Sequence, residues 1–340
     1  MLVTINFKGK HGPLLIAEIG GNHEGDFEYA KRLTQLAIDT DVDYIKFQLY
    51  SGDTLVSSVE NPDRNKHFKK FELTKAQNIE LAEMVKAAGI GYMASVWDEE
   101  VLSWIDPYMD IYKIGSGDLT AFPVLKTTSL YRKPMIVSTG LSTEGDVLEV
   151  VDYIRSLDDY YKSEDSLALL QCTSMYPIAM SDANLDVVQR LKDLTGLPVG
   201  YSDHTVGSQA LKYAYAMGAQ ILEFHFTDTR EGKLFRDHQV SLIPSEVKGL
   251  IEELAMIQVL KGNPVKEPLE IEKEANHVET FRRAVYPSRD IQAGEILTKE
   301  NLTVLRPNRG IDARAFDQVL GKVIKEDVKK HQRLSWEMMK

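Results

Sequence analysis

Cysteine is almost missing from this chain: Cys172 is the single one in 340 residues, which excludes an internal disulfide and fits a reducing compartment. Long apolar runs are missing too; the longest are strand-length, so nothing is expected to span a membrane. Met1–Ile5 shows no basic segment leading into an apolar core with a small-residue cleavage site, so a cytoplasmic location is expected. Positive charge is in deficit: a formal net charge of −11 argues against a nucleic-acid partner, and an anionic ligand would need a local cluster of Lys and Arg. No Gly-x-Gly-x-x-Gly follows the first apolar strand, and no low-complexity tract or internal repeat beyond a strand–helix alternation is visible. What is present is ordinary for a globular enzyme, 43% hydrophobic and 27% charged, with length for one large domain and a small one.

Read in order, apolar strand-length runs alternate with segments of helical periodicity. Strands are expected at Leu14–Ile19, Tyr44–Gln48, Ile90–Val96, Ile111–Ser116, Pro134–Gly140, Ser166–Cys172, Leu197–Tyr201 and Gln220–Phe224. Helices are expected over 27–38 with Asp26 as cap, 73–88, from Asp98 to before Pro107, 143–154, 184–194, 207–217 and 245–260, with a long polar loop through Lys70 after the second strand. Eight strands feeding helical crossovers over about 260 residues predict a closed (β/α)₈ TIM barrel of α/β class, spanning 1–262. An open doubly wound sheet is the alternative, but the polar signatures recur after nearly every strand and not at one switch point. Residues 263–280 read as a charged linker, and 281–340, rich in short β-like runs and turns, as a small mainly β module.

Barrel logic gathers the side chains at C-terminal strand ends into one pocket. Those are Glu18, Asn22, His23, Lys46, Gln48, Ser95, Lys113, Ser116, Ser138, Thr139, Thr173, Ser174, Ser202, His204 and His225. His204 and His225 close two successive strands, each beside a carboxylate, and two imidazoles on adjacent parallel strand ends can share a divalent metal. Either one alone would read as a cap or a core residue. Lys46 and Lys113 sit inside apolar strands, where an unpaired ammonium is costly. With the surrounding hydroxyls they form a phosphate or carboxylate pocket. The alternatives are internal salt bridges, such as Lys46 with Glu18, or a Schiff-base lysine. One Glu is poorly placed to satisfy two lysines from non-adjacent strands, and the histidine pair argues against the imine. Asp237-His238 could reach the pocket by loop, although such a dipeptide is more often a hydrogen-bonded turn. Cys172 reads as a buried structural thiol.

Taken together the motifs resemble those of the sialic acid synthases and related nonulosonic acid synthases. They are Ala17-Glu18-Ile19-Gly20 with Asn22-His23, Lys46-Phe47-Gln48, Tyr112-Lys113-Ile114-Gly115-Ser116-Gly117, Ser138-Thr139-Gly140, Cys172-Thr173-Ser174 with Tyr176-Pro177, Gly200-Tyr201-Ser202-Asp203-His204-Thr205, His225-Phe226-Thr227 and Asp237-His238. Ala293-Gly294-Glu295, Asn301-Leu302, Arg306-Pro307 and Leu320-Gly321-Lys322 resemble that family's antifreeze-like (SAF) domain. The resemblance implies condensation of phosphoenolpyruvate with N-acetylmannosamine or a related acylamino hexose. It implies a divalent metal, Mn²⁺ first with Mg²⁺ or Co²⁺ as alternatives, on His204 and His225. Phosphoenolpyruvate would lie against Lys46, Lys113, Ser116, Ser138 and Ser202 with Glu18 nearby, and the sugar against Gln48, Tyr176 and Asp237. Ser95, Asp118 and Thr173 complete the expected substrate contacts. Arg306 would reach the site of a second chain in a domain-swapped homodimer. Four positions depart from the family pattern: Ser95 for Thr, Asp118 for Glu, Met175 for Asn and Phe224 for Lys, the last two bearing on the choice of sugar. The rival readings are another phosphoenolpyruvate-dependent 3-deoxy-ulosonate synthase and a non-catalytic sugar-binding homologue.

Overall fold

The computed structural model describes residues 7–163 and 165–340, so Met1–Ile5 lies outside the described residues. A short strand β1 (Lys8–Gly9) turns back antiparallel onto β2 (Gly12–Glu18). Seven further strands follow: β3 (Tyr44–Leu49), β4 (Gly91–Val96), β5 (Tyr112–Ile114), β6 (Met135–Ser138), β7 (Leu167–Cys172), β8 (Val199–Asp203) and β9 (Ile221–His225). From β2 on, each strand pairs in parallel with the next, and β9 pairs back onto β2, closing an eight-stranded barrel. Helices cross over between the strands, as expected from the alternation. Three of the N-termini are fixed by local side-chain caps: Asp26 accepts from Tyr29 N, while Thr74 and Thr143 form capping boxes with Gln77 and Asp146.

Because both faces of each strand are covered, the strands read as apolar runs, yet the two faces differ. Leu15, Ala17, Ile45, Phe47, Tyr92, Ala94, Val137 and Leu222 pack outward against the helices. Leu14, Ile16, Met93, Ile111, Ile136, Ala168, Leu170 and Ile221 fill the barrel interior. Continue each inward row by two residues, the period of the pleat, and the side chains become Glu18, Ser95, Lys113, Ser138, Cys172 and Glu223. The apolar interior thus gives way to a polar layer at the C-terminal ends of the strands.

Two elements differ from expectation. The stretch after β3 is not a polar loop but two helices, Gly52–Leu55 and Pro62–Phe71, the second starting on Pro62 with Asn61 as cap. A helix over Phe122–Ser129, also Pro-initiated, lies between β5 and β6 where none was expected. The first stretch is rich in charge and the helix over Phe122–Ser129 is only eight residues long, so periodicity alone gives a weak signal in both.

The chain divides into two compact units, Met1–Gly262 and Asn263–Lys340. In the second, two short helices (Glu270–Glu274 and His277–Thr280) precede an antiparallel pair, β10 (Ala284–Pro287) with β11 (Leu302–Leu305). Its own core holds Val285, Ile291, Leu297, Leu302, Ile311, Ile324 and Leu334.

Candidate active site

Strand register builds the centre of the barrel's C-terminal face. Glu18 is level with Lys46 on one side and His225 on the other, Ser95 with Lys113, and Ser202 with Cys172 and Glu223. Glu18, Lys46, Lys113, Ser138, Ser202, Glu223, His204 and His225 are all buried.

The expectation that a single glutamate would leave one lysine unmatched is corrected here. Glu223 supplies the second carboxylate: its Oε2 is 3.0 Å from Lys46 Nζ and its Oε1 is 3.5 Å from Lys113 Nζ. Glu18 Oε2 lies 3.3 Å from Lys46 Nζ, so Lys46 faces two carboxylates. Lys113 also donates to Ser138 Oγ (2.7 Å) and to the Ile114 carbonyl (3.2 Å). Ser202 Oγ donates to Glu223 Oε1 at 2.8 Å, and Gln48 Nε2 to Glu18 Oε1 at 2.7 Å. Glu223 lies two residues before His225, on the same face of β9; that pleat relation was the available signal in the sequence.

The two carboxyls are driven apart. Burial pushes Glu18 up to about 7, against the pull of Lys46. Burial acts on Glu223 too, but Lys113 and Lys46 overcome it and hold the group well below the usual carboxylate range. Burial lowers Lys113; Lys46 is raised because Glu18 and Glu223 outweigh its burial. One acid poised near neutrality beside one fixed anion is the arrangement proton-transfer chemistry uses.

The imidazoles of His204 and His225 lie side by side, ring centroids 5.3 Å apart. His204 Nδ1 is 2.7 Å from the Thr173 carbonyl, which assigns the proton to Nδ1 and leaves Nε2 as a lone pair. Burial lowers His204; burial, then His204 and Lys46, lower His225 strongly, so both rings are neutral at pH 7. His225 Nδ1 is buried without a hydrogen-bond partner, 3.9 Å from Asp237 Oδ2. Two neutral imidazoles with an orphaned nitrogen fit a divalent cation. Among the described residues no group of three His, Cys, Asp or Glu could close a protein-only site.

Tyr176 covers this pair, its ring 4.0 Å from His204 and 5.4 Å from His225 between centroids. Gln48, Tyr176 and Asp237 then line a cavity of about 650 Å³ that continues outward past Tyr50, Phe68, Phe71 and Phe235. Ser116 Oγ accepts from Gly140 N (3.1 Å) near the lysine end.

Other expected residues are placed differently. Thr173 is not a side-chain contact: its Oγ1 donates to the Asp182 carbonyl (2.7 Å), and its role near the site is the carbonyl that fixes His204. Asn22 donates to Phe226 O and Ser241 Oγ, and His23 Nδ1 accepts from Gly25 N, so both brace loops. His238 is packed against Thr227 and Glu24. Asp118 binds the Trp97 indole N–H. Phe224 faces away from Glu223 and His225 into the barrel–helix core, and Met175 is exposed. Cys172 is buried 3.8 Å from His204 Nδ1, and burial raises its thiol, which suits a packing residue. Arg306 belongs to the C-terminal unit, where its guanidinium lies over the Phe281 ring.

No helix among the described residues is long and apolar enough to cross a membrane. The NeuB family matches residues 33–266, and the SAF domain matches residues 282–340. The N,N'-diacetyllegionaminic acid synthase of Legionella pneumophila is 34% identical over 340 residues, 95% of this chain and 93% of that protein. The N-acetylneuraminate-9-phosphate synthase of Homo sapiens is 32% identical over 309 residues, 87% of this chain and 84% of that one. Among solved structures, the N-acetylneuraminic acid (sialic acid) synthetase of Leptospira borgpetersenii, in complex with citrate, superimposes with a TM-score of 0.73 at 30% identity, covering 82% of this chain and 95% of that chain. The chain, a barrel with this polar layer followed in sequence by an SAF domain, therefore belongs to the NeuB family, and the relatives named above are nonulosonic acid synthases.

Proposed function

We propose that this chain condenses phosphoenolpyruvate with an open-chain acylamino hexose, giving a nonulosonic acid and inorganic phosphate. The observation that carries the reading is the contiguity of the two-lysine layer with the imidazole pair, joined through Glu18 and Glu223. Lys46 and Lys113, with Ser116, Ser138 and Ser202, hold the phosphate and carboxylate of phosphoenolpyruvate; Ser95 borders this end. Gln48, Tyr176 and Asp237 hold the sugar. A divalent cation on His204 and His225, Mn²⁺ by preference, supplies Lewis acidity at the aldehyde oxygen when bound.

Glu18 moves the protons. C3 of phosphoenolpyruvate bonds to the aldehyde carbon, and the aldehyde oxygen, becoming a hydroxyl, takes the Glu18 proton. Water adds to the former enol carbon and returns a proton to Glu18. Phosphate then leaves with the bridging oxygen, taking the hydroxyl proton as the ketone forms. The fixed charge of Glu223 keeps both lysines cationic through these steps.

The test is incubation with phosphoenolpyruvate and a panel of acylamino hexoses, following phosphate release and product mass. A product equal to sugar plus phosphoenolpyruvate plus water minus phosphate is expected. Turnover with a phosphorylated tetrose or pentose and with no amino sugar would move the chain to the 3-deoxy-ulosonate synthases, and no turnover with either class would leave a binding protein.

The homodimer belongs to the same proposal: Arg306 serves the barrel of a second chain, completing its sugar site.

A further inference from the structure

We infer, resting on the proposed condensation, that the acceptor carries a phosphate ester at the end remote from its aldehyde, held by Arg64, Lys70 and Arg236. With the aldehyde at the imidazole pair and the sugar against Gln48, Tyr176 and Asp237, the remote end points outward through the cavity. Its outer wall is built by the helix Pro62–Phe71 and the segment 234–237. Arg64, His67, Phe68 and Phe71 recur at helical spacing and all line the cavity. Aromatic contacts join the two walls, Phe71 to Phe235 at 5.0 Å and His67 to Phe235 at 5.7 Å, and His67 also packs on Phe71 within the helix at 4.3 Å.

Each of the three cations lies over a ring of that wall: Arg64 over Phe68 (5.6 Å), Lys70 over Phe71 (5.8 Å) and Arg236 over Tyr176 (4.5 Å). Their convergence is felt at His67, which is lowered by burial and then by Arg236, Lys70 and Arg64. Among the described residues no carboxylate pairs with Arg64 or Lys70, and Arg236 reaches only Asp237, at 3.3 Å. The other lining carboxylate, Glu24, faces His238 at 3.3 Å. On a chain of net charge −11, three convergent cations over an aromatic wall make a local field suited to a dianion. A neutral hydroxymethyl or methyl group would leave that charge unused.

Binding of N-acetylmannosamine and of its 6-phosphate to the full chain is compared by calorimetry. The phosphate ester is expected to bind at least about tenfold more tightly. Arg64→Gln combined with Arg236→Gln should erase the preference, Lys70→Gln should reduce it, and Arg236→Lys should keep part of it. Equal affinity for the two sugars, no detectable binding of the phosphate ester, or a preference that survives the double substitution overturns the inference. Inorganic phosphate competing with the ester on the unmodified chain gives a check that needs no variant; failure to compete counts against it. Phosphate release from phosphoenolpyruvate, measured with both sugars, separates the two levels. A binding preference without turnover contradicts the condensation and leaves the anion pocket; equal turnover and equal KM contradict the pocket and leave the condensation.

Discussion

Glu223 touches both lysines and Ser202 while its own carboxyl is buried, so removing its charge leaves Lys46 with Glu18 alone and Lys113 with no carboxylate partner. Breaking one partner of such a buried set costs roughly 3–5 kcal/mol. Glu223→Gln is therefore expected to lower the urea-unfolding free energy by about that much, with Ser202→Ala costing only about 1 kcal/mol. A change under about 1 kcal/mol for Glu223→Gln would contradict the network. For Glu18 the expectation concerns pH. Its carboxyl is raised from 4.5 to about 7, so the folded state binds that proton more tightly than the unfolded chain. The stabilisation this gives is present below pH 4.5 and is lost as the pH rises through about 7. The difference in unfolding free energy between the wild type and Glu18→Gln should fall across that window; a flat difference would show that Glu18 ionises normally. At this scale the sequence was informative where a charge interrupted an apolar strand, as at Lys46 and Lys113. For Glu223 the sequence offered only its place two residues before His225; its identity as a partner depends on register between β8 and β9 and on which face of β9 turns inward. Thr173 misled because strand-end position does not reveal whether a hydroxyl or a carbonyl faces the site.

The pleat is what turns eight ordinary strands into a site. Inward rows run apolar at the closed end and polar at the open end, and a one-residue slip in β9 would exchange Glu223 and His225 for Phe224. Gly200 in β8 lets that packing happen: a Cβ there would lie 2.3 Å from the Ile221 carbonyl and 2.6 Å from its Cβ. Backbone is a poor candidate to move, so Gly200→Ala is expected to cost roughly 2 kcal/mol or more and to weaken metal binding, since β8 and β9 carry the two imidazoles. Unchanged Tm and unchanged Mn²⁺ affinity would contradict this. Strands and the long capped helices were legible because apolar period and cap residues agreed, as at Asp26 and Phe27–Ile38. The helix Pro62–Phe71 was not: its only large apolar residues are Phe68 and Phe71 among charged ones, so it reads as a polar stretch until Tyr50 and Phe235 give those rings something to pack on.

Across the whole molecule, the β/α alternation and a change of character after residue 262 made the two-part architecture readable, because each unit buries its own core. The proposed contribution of a second copy is tested at this scale. Arg306→Ala and Lys113→Ala should each be inactive alone, and mixed dimers should regain part of the activity, since one of the two sites would be intact. Verified heterodimers without recovery would remove the exchange of Arg306 between subunits. The proposed chemistry requires that the imidazole pair hold one cation beside the lysine layer. Mn²⁺ binding followed by electron paramagnetic resonance, before and after chelation and in His204→Ala/His225→Ala, tests this most directly. A single tight Mn²⁺ per chain, absent from the double variant, with condensation lost on chelation and restored by Mn²⁺, is the predicted result. Full condensation after the metal has been stripped, or unchanged Mn²⁺ binding without the two histidines, would contradict it.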